Sequence, residues 1–131
     1  MRHIASVSFG KDSLAMLLLL LEKEMPLDEV IFYNSGMEFQ AIYDIRDQVR
    51  PILERRGIRF TEVKPDAPFL YQMLERPVFS KKNGYHLGYG WCGGPCRWGT
   101  KLKTRALDGL SLDAEKHYIG IAADEPDRLK K

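Results

Sequence analysis

The stretch that decides the fold lies near the amino end and reads IASVSFGKDSLAMLLLLL, residues 4–21. It opens with a short apolar run, residues 4–7, that leads toward a glycine, as expected for a buried strand that feeds a turn. After Asp12 and Ser13, either of which could cap a helix, residues 14–21 are apolar on every side. This pattern predicts a helix that is buried on most of its faces. A strand, a short loop and a helix in this order are the basic unit of an α/β fold.

The same alternation continues along the chain. Residues 29–33 predict a second buried strand, and residues 58–63 and 117–121 predict a third and a fourth. Apolar residues at helical spacing predict a helix over 39–56, in which Pro51 predicts a kink or a break.

The sequence between the third and fourth strands carries weaker signals. Its prolines leave room for a short helix near 69–75, and a Gly/Tyr/Trp-rich stretch predicts a loop over 83–94. A basic helix is expected over 97–107.

Strands that alternate with helices predict an α/β fold with a Rossmann-like, doubly wound, mostly parallel sheet. The length is that of one domain, so residues 1–131 are expected to form a single nucleotide-binding unit. The chain ends soon after the fourth strand, which would leave one sheet edge poorly covered. We therefore expect either that a C-terminal segment is lacking, as in a fragment of a longer protein, or that a second subunit covers the edge in a homo-oligomer.

The composition, with 44% hydrophobic and 29% charged residues, is that of an ordinary globular protein. Between residues 81 and 105 there are six Lys or Arg and no Asp or Glu, so an anionic partner is expected near this stretch. The chain has two cysteines and no export signal, and its apolar run is too short to span a bilayer. These features predict a cytoplasmic protein without a membrane partner.

The first loop, SFGKDS at residues 8–13, lies where a strand is predicted to end and a helix to begin. Unpaired N–H groups and the positive end of the helix dipole make such a junction suitable for phosphate. Its two serine hydroxyls add hydrogen-bond donors, and its lysine adds a positive charge. Its glycine lets the backbone approach a ligand closely. The alternative is a tight turn with a capping aspartate. The spacing does not fit the longer Walker loop.

This loop resembles the PP-loop of the adenine nucleotide α-hydrolase superfamily, which usually reads Ser-Gly-Gly-x-Asp-Ser. Phe9 stands in place of the first glycine, as it does in the branch that contains phosphoadenosine phosphosulfate (PAPS) reductases. Two further segments resemble loops of that branch, namely NSGMEF at residues 34–39 and GIAADEPDR at residues 120–128. Each of the three motifs follows a predicted strand.

The resemblance implies an adenine nucleotide α-hydrolase-like fold whose ligand, ATP or an adenylyl sulfate (PAPS or APS), lies at the carboxyl ends of the strands. Asn34 and Ala122 differ from the residues that the family often has, Asp and Arg. By analogy, the nucleotide- or phosphate-binding residues are Ser8, Phe9, Gly10, Lys11, Asp12, Ser13, Asn34, Ser35, Gly36, Glu38, Asp124, Glu125 and Arg128.

The two cysteines, Cys92 and Cys96, lie four residues apart in a Gly/Pro-rich turn. They could contribute to a zinc or iron–sulfur site, although a closed site usually needs four ligands, or act as catalytic thiols. The alternative is a pair of reduced thiols without a special role. Related reductases carry their catalytic cysteine on a C-terminal extension, for which this sequence has no counterpart.

Basic residues follow at once, and Arg97, Lys101 and Arg105 would share one face of a helix. This face could bind a distal phosphate or sulfate, or it could be simply solvated. Aromatic residues interleave with the charges, at Tyr85, Tyr89, Trp91 and Trp98, which also fits a nucleic-acid partner. His3 and His117 lie in or next to predicted strands, which favours structural roles.

Three functions follow from these observations. One is a PAPS-reductase-like oxidoreductase with a thiol reductant such as thioredoxin as partner. The second is an ATP pyrophosphatase that adenylates a small molecule or nucleic acid for sulfur transfer, with Asp12 and Asp124 holding Mg²⁺ on the phosphates. The third is a nucleotide-binding module without catalysis. Lys11, Asp12, Cys92 and Cys96 are the catalytic candidates.

Overall fold

The first strand and helix of the chain form as the sequence predicts, and the sheet grows outward from them. The computed structural model describes residues 2–90 and 102–120, with the backbone alone at Leu102 and Ser111. In chain order the elements are β1 His3–Ser6, α1 Lys11–Glu22, β2 Glu29–Tyr33, α2 Gln40–Arg55, β3 Arg59–Val63, a π-helical turn Tyr71–Glu75, β4 Pro77–Ser80, β5 Gly84–Leu87, α3 Leu102–Ser111 and β6 Lys116–Ile119.

Four of the strands form a parallel sheet in the order β3-β2-β1-β6. The chain steps in one direction from β1 to β3 and then crosses back to β6. Because such crossovers are right-handed, α1 and α2 lie on one face of the sheet and α3 lies on the other. The predicted α/β, Rossmann-like fold is confirmed, and the carboxyl ends of all four strands meet at one edge.

The core lies between the sheet and the first two helices. Alternate residues of β1 and β2 point to this side, as the twofold period of a strand requires. They pack against apolar side chains of α1 and α2 in one cluster: Ala5, Val7, Phe9, Leu17, Leu20, Leu21, Val30, Phe32, Val49, Leu53 and Ile58. Each such large side chain contributes roughly 1.5–3 kcal/mol on burial, so this face holds the sheet and the helices together.

The first helix differs from its prediction in two ways. Leu18 and Leu19 are each 50% exposed, so the helix is not buried on most of its faces. A single sheet covers only one side of it, and the opposite side faces water. The helix also begins at Lys11 with Gly10 as its N-cap and no side-chain cap, so Asp12 and Ser13 lie within its first turn.

The second helix runs without interruption from Gln40 to Arg55. Of the kink or break predicted at Pro51, the break does not occur. Proline lacks the N–H that would bond the carbonyl of Asp47, and its ring crowds the preceding turn. Packing of Val49 and Leu53 on the sheet keeps both sides of the proline in one helix.

The segment after β3 contains a hairpin that the sequence analysis missed. Strands β4 and β5 pair antiparallel, with Val78 opposite His86 and Phe79 opposite Tyr85. Gly84, within the stretch expected to be a loop, begins β5 with a φ of +67°. The short helix expected near 69–75 is present as the π-helical turn.

The remaining boundaries shift by a few residues. The described part of the basic helix, α3, ends at Ser111, four residues beyond its expected end at 107. The last strand, β6, begins at Lys116 and ends at Ile119. Within the ranges that the structure describes, no helix is long and apolar enough to cross a membrane.

Candidate nucleotide site

The first loop connects β1 to α1 and is closed by its two serines. The backbone N–H of Ser8 donates to Ser13 Oγ at 3.1 Å, and the two hydroxyl oxygens lie 3.0 Å apart. The helix starts immediately, because the N–H of Leu14 donates to the carbonyl of Gly10 at 3.0 Å. The N-cap residue is glycine and has no side chain to cap α1, so among the residues that the structure describes the first-turn N–H groups remain available to an anion.

Phe9 contributes backbone rather than side chain to this loop. Its φ is +60°, a left-handed conformation that glycine adopts freely and phenylalanine rarely does. The ring is 1% exposed and packs edge-on against Phe32, with centroids 5.1 Å apart. Of the residues expected in the first loop to bind nucleotide, Phe9 therefore directs its side chain into the core.

Lys11 and Asp12 project from the first turn of α1 toward solvent. The Lys11 side chain is 92% exposed, and its Nζ lies 3.7 Å from Asp12 Oδ1. An exposed ion pair of this kind stabilises the fold very little, because water screens both charges. Both groups are therefore available to a ligand at the helix start.

The end of β6 packs tightly on this same turn. A β-carbon at Gly120 would lie 3.0 Å from Ser13 Cα and 3.2 Å from the carbonyl oxygen of Asp12. Only glycine fits without displacing backbone. The first residue of the third motif thus touches the first loop.

The second motif forms a turn that is bonded within itself. Asn34 Oδ1 accepts from the N–H of Gly36 and from the hydroxyl of Tyr43, each at 2.9 Å. The hydroxyl of Ser35 donates to Glu38 Oε1 at 3.0 Å. Gly36, with a φ of +88°, lets the chain turn there. This turn follows β2 and so lies at the same edge of the sheet as the first loop.

A crevice runs along this edge on the side of α3. It begins in a 280 Å³ cavity between the first loop, the end of β6 and α3. A second cavity of 190 Å³ shares Tyr33 with the first. A third, of 380 Å³, shares residues 64–66 with the second and reaches Asn34, Ser35 and Gly36. The crevice, meaning this row of three neighbouring cavities, therefore extends from the first motif to the second.

Helix α3 forms the outer wall of the crevice and carries basic residues. Lys103 lines the first cavity and Arg105 lines the second. Both belong to the basic stretch in which the sequence predicted an anionic partner. Arg105 is the one member of the predicted face with Arg97 and Lys101 that the structure describes.

Two titratable side chains in the crevice have shifted pKa values. Burial lowers the pKa of His117, and the charge of Asp108 raises this pKa to a smaller extent. Burial raises the pKa of Tyr33, with a further contribution from the charge of Asp66. Both shifts favour the neutral forms of these groups near pH 7.

Several predicted site residues lie outside the described ranges: Cys92, Cys96, Arg97, Lys101, Asp124, Glu125 and Arg128. Their roles as thiols, ligands or basic contacts remain predictions. Within residues 2–90 and 102–120, no group of three or more His, Cys, Asp or Glu side chains could hold a metal ion.

The sequence analysis missed three groups of crevice residues. These are Ser6 and His117 on the sheet, Tyr33 at the end of β2, and the segment 64–69. The outward alternation of β1 could have pointed to Ser6, because Ser6 lies between core residues Ala5 and Val7. The segment 64–69 could have been predicted as part of the site because it directly follows the strand β3.

The fold defines a class, the Rossmann-like α/β proteins, in which ligands generally bind at the carboxyl edge of the parallel sheet. Residues 2–83 match the family described as the phosphoadenosine phosphosulfate reductase domain. The chain belongs to this family, and with it to the PP-loop adenine nucleotide α-hydrolase-like superfamily. This is a nucleotide-binding family of sulfur metabolism. Searches of curated proteins and of solved structures gave no significant match.

Proposed function

We propose that this protein binds an adenine nucleotide with its phosphates on the first loop and acts on an adenylyl sulfate or ATP in sulfur metabolism. The observation that carries the proposal is the hydroxyl pair of Ser8 and Ser13 at the uncapped start of α1, beside the crevice. Free N–H groups, hydroxyls and a nearby lysine are the donors that phosphate oxygens require.

Each motif has a part in this proposal. The first-turn N–H groups, Ser8, Ser13 and Lys11 bind the phosphates. The turn from Asn34 to Gly36 borders the far end of the crevice, where it limits the position of the ribose or the base. Lys103 and Arg105 on α3 add positive charge on the opposite wall.

The proposed reaction is the reduction of an adenylyl sulfate, in which a thiolate attacks the sulfur and the nucleotide leaves with its phosphate. A second thiol then attacks the sulfonated thiol, so that sulfite is released and a disulfide forms. Cys92 and Cys96 are the candidate thiols, and a dithiol protein such as thioredoxin is the candidate electron donor. The membership of the chain in the reductase family supports the choice of reaction, whereas Cys92 and Cys96 lie beyond the matched residues 2–83 and are proposed because they are the two thiols of the sequence.

A second proposed function is the adenylation of a substrate by ATP. Magnesium usually binds through one or two carboxylates together with substrate phosphates. Asp12, on the first turn of α1 and 44% exposed, is placed to give one such carboxylate. Bound there, the ion would offset charge on the phosphates.

The proposal is tested by titrating ATP and adenylyl sulfate into wild type and into Lys11→Ala combined with Ser13→Ala. Loss of charged hydrogen bonds worth about 1.5–3 kcal/mol each should weaken binding by at least roughly tenfold. Lys23→Ala is the matched control, because Lys23 is the C-cap of the same helix. It should bind like wild type. Equal affinity of the double variant and wild type would contradict the proposal.

A further inference from the structure

Ser6 and His117 form a hydrogen-bonded pair on the α3 side of the sheet. Ser6 Oγ and His117 Nε2 lie 2.6 Å apart. The two residues belong to neighbouring strands, in which Ser6 pairs with Ile119 and Ile4 pairs with His117. Their side chains therefore point to the same face, and they are diagonal neighbours offset by two residues along the strands.

This pair lines the same cavity as the first loop. The 280 Å³ cavity is bounded by Ser6, Ser8, Ser13 and His117 from the sheet side. Its volume is near the lower end of the roughly 300–1,000 Å³ usual for small-molecule sites. A ligand that rests its phosphates on the loop therefore has space for its next portion in contact with the pair.

The cavity is lined by both apolar and polar side chains. Ile31, Leu107 and Ile119 supply apolar wall, and the serine and histidine place polar atoms within it. Within residues 2–90 and 102–120, the His117 ring makes no hydrogen bond besides the one with Ser6. Its Nδ1 and the remaining capacity of the Ser6 hydroxyl can thus serve a ligand.

We propose that Ser6 and His117 are specificity-determining residues that hydrogen-bond the part of the nucleoside next to the phosphates, while the turn from Asn34 to Gly36 limits the more distant part. The inference rests on the proposed function, since it requires phosphates on the first loop. The two parts of the site then have different roles. The first loop binds any chain of phosphates, whereas the Ser6–His117 pair selects a nucleotide.

The test compares ATP with inorganic tripolyphosphate, which lacks the nucleoside. Binding of both is measured to wild type, Ser6→Ala, His117→Ala and His117→Gln. We expect Ser6→Ala and His117→Ala to weaken ATP binding by about tenfold, the effect of one lost hydrogen bond at the upper end of its usual range. Tripolyphosphate binding should stay unchanged, and His117→Gln, which keeps a polar end group, should recover part of the ATP affinity.

Ser80→Ala is the matched control for Ser6→Ala, because it removes a hydroxyl from β4, away from the crevice. It should bind both ligands like wild type. ATP affinity that is unchanged in Ser6→Ala and His117→Ala would overturn the inference. So would an equal loss for both ligands, because this would show a general effect on the fold. Failure of wild type to bind either ligand would instead overturn the proposed function, and the inference with it.

Discussion

Phe9 shows how one residue can satisfy two demands of the first loop. The loop has a left-handed backbone at this position, a conformation that glycine adopts freely, and Phe9 has a φ of +60°. That conformation costs about 1–2 kcal/mol for a residue with a side chain. Burial of the ring against Phe32 returns roughly 1.5–3 kcal/mol, so the side chain offsets the strain of its own backbone.

His117 gives the stability of the protein a pH dependence. Burial holds its folded-state pKa below the ordinary value near 6.5, so the unfolded chain binds more protons in the range between the two values. The free energy of unfolding should therefore fall as the pH falls through about 6.5 toward the folded-state pKa. Above that range the contribution is fully present.

The measurement is urea denaturation of wild type and His117→Asn at about pH 7.5 and about pH 5.5. The variant cannot take up this proton, so it should lose less free energy of unfolding than wild type between the two conditions. Asp28, whose pKa is lowered mainly by hydrogen bonds from His3, acts in the same direction at more acidic pH and is common to both proteins. Equal losses in the two proteins would contradict the account.

At the scale of elements, the β4–β5 hairpin is held to the π-helical turn through Gly88. The N–H of Gly88 donates to the carbonyl of Arg76 at 2.6 Å, and that of Gly90 donates to Met73 at 3.1 Å. A β-carbon at Gly88 would lie 2.0 Å from the carbonyl oxygen of Met73. The close approach of two backbones leaves room only for glycine.

Gly88→Ala should therefore destabilise the protein more than Gly84→Ala does. Both positions have positive φ, but a β-carbon at Gly84 meets nothing within 4 Å. Backbone strain alone predicts a loss of about 1–2 kcal/mol for Gly84→Ala. The added clash predicts about 2–5 kcal/mol for Gly88→Ala. Urea denaturation measures both, and equal losses would mean that the contact with Met73 does not hold the hairpin.

The sequence predicted the elements whose signals are local. Each of these signals lies within a short stretch of sequence. Examples are the apolar runs of β1 and β2, the helical spacing of α2 and the strand–loop–helix junction. The hairpin was missed although its pairing is local, because Pro77 and Gly84, one in each strand, weaken the strand pattern. The exposure of Leu18 could not be predicted because it depends on which side the sheet covers.

The same distinction applies to the candidate site. The first two loops were predicted from their residues, and parallel topology brings them to one edge of the sheet. The Ser6–His117 pair was not predicted, because it requires the crossover that places β6 beside β1. Lys103 and Arg105 were recognised as basic, but only the position of α3 makes them part of the crevice wall.

At the scale of the whole molecule, the central claim is that nucleotide phosphates bind at the first loop, at one end of a crevice along the sheet edge. Amide chemical-shift mapping of ¹⁵N-labelled protein with ATP tests this claim most directly, because it reports position as well as binding. The account predicts the largest changes at the amides of Gly10, Lys11, Asp12 and Ser13, with further changes at Gly120. Largest changes in the hairpin 77–87, or at the opposite sheet edge near Glu29, would contradict it.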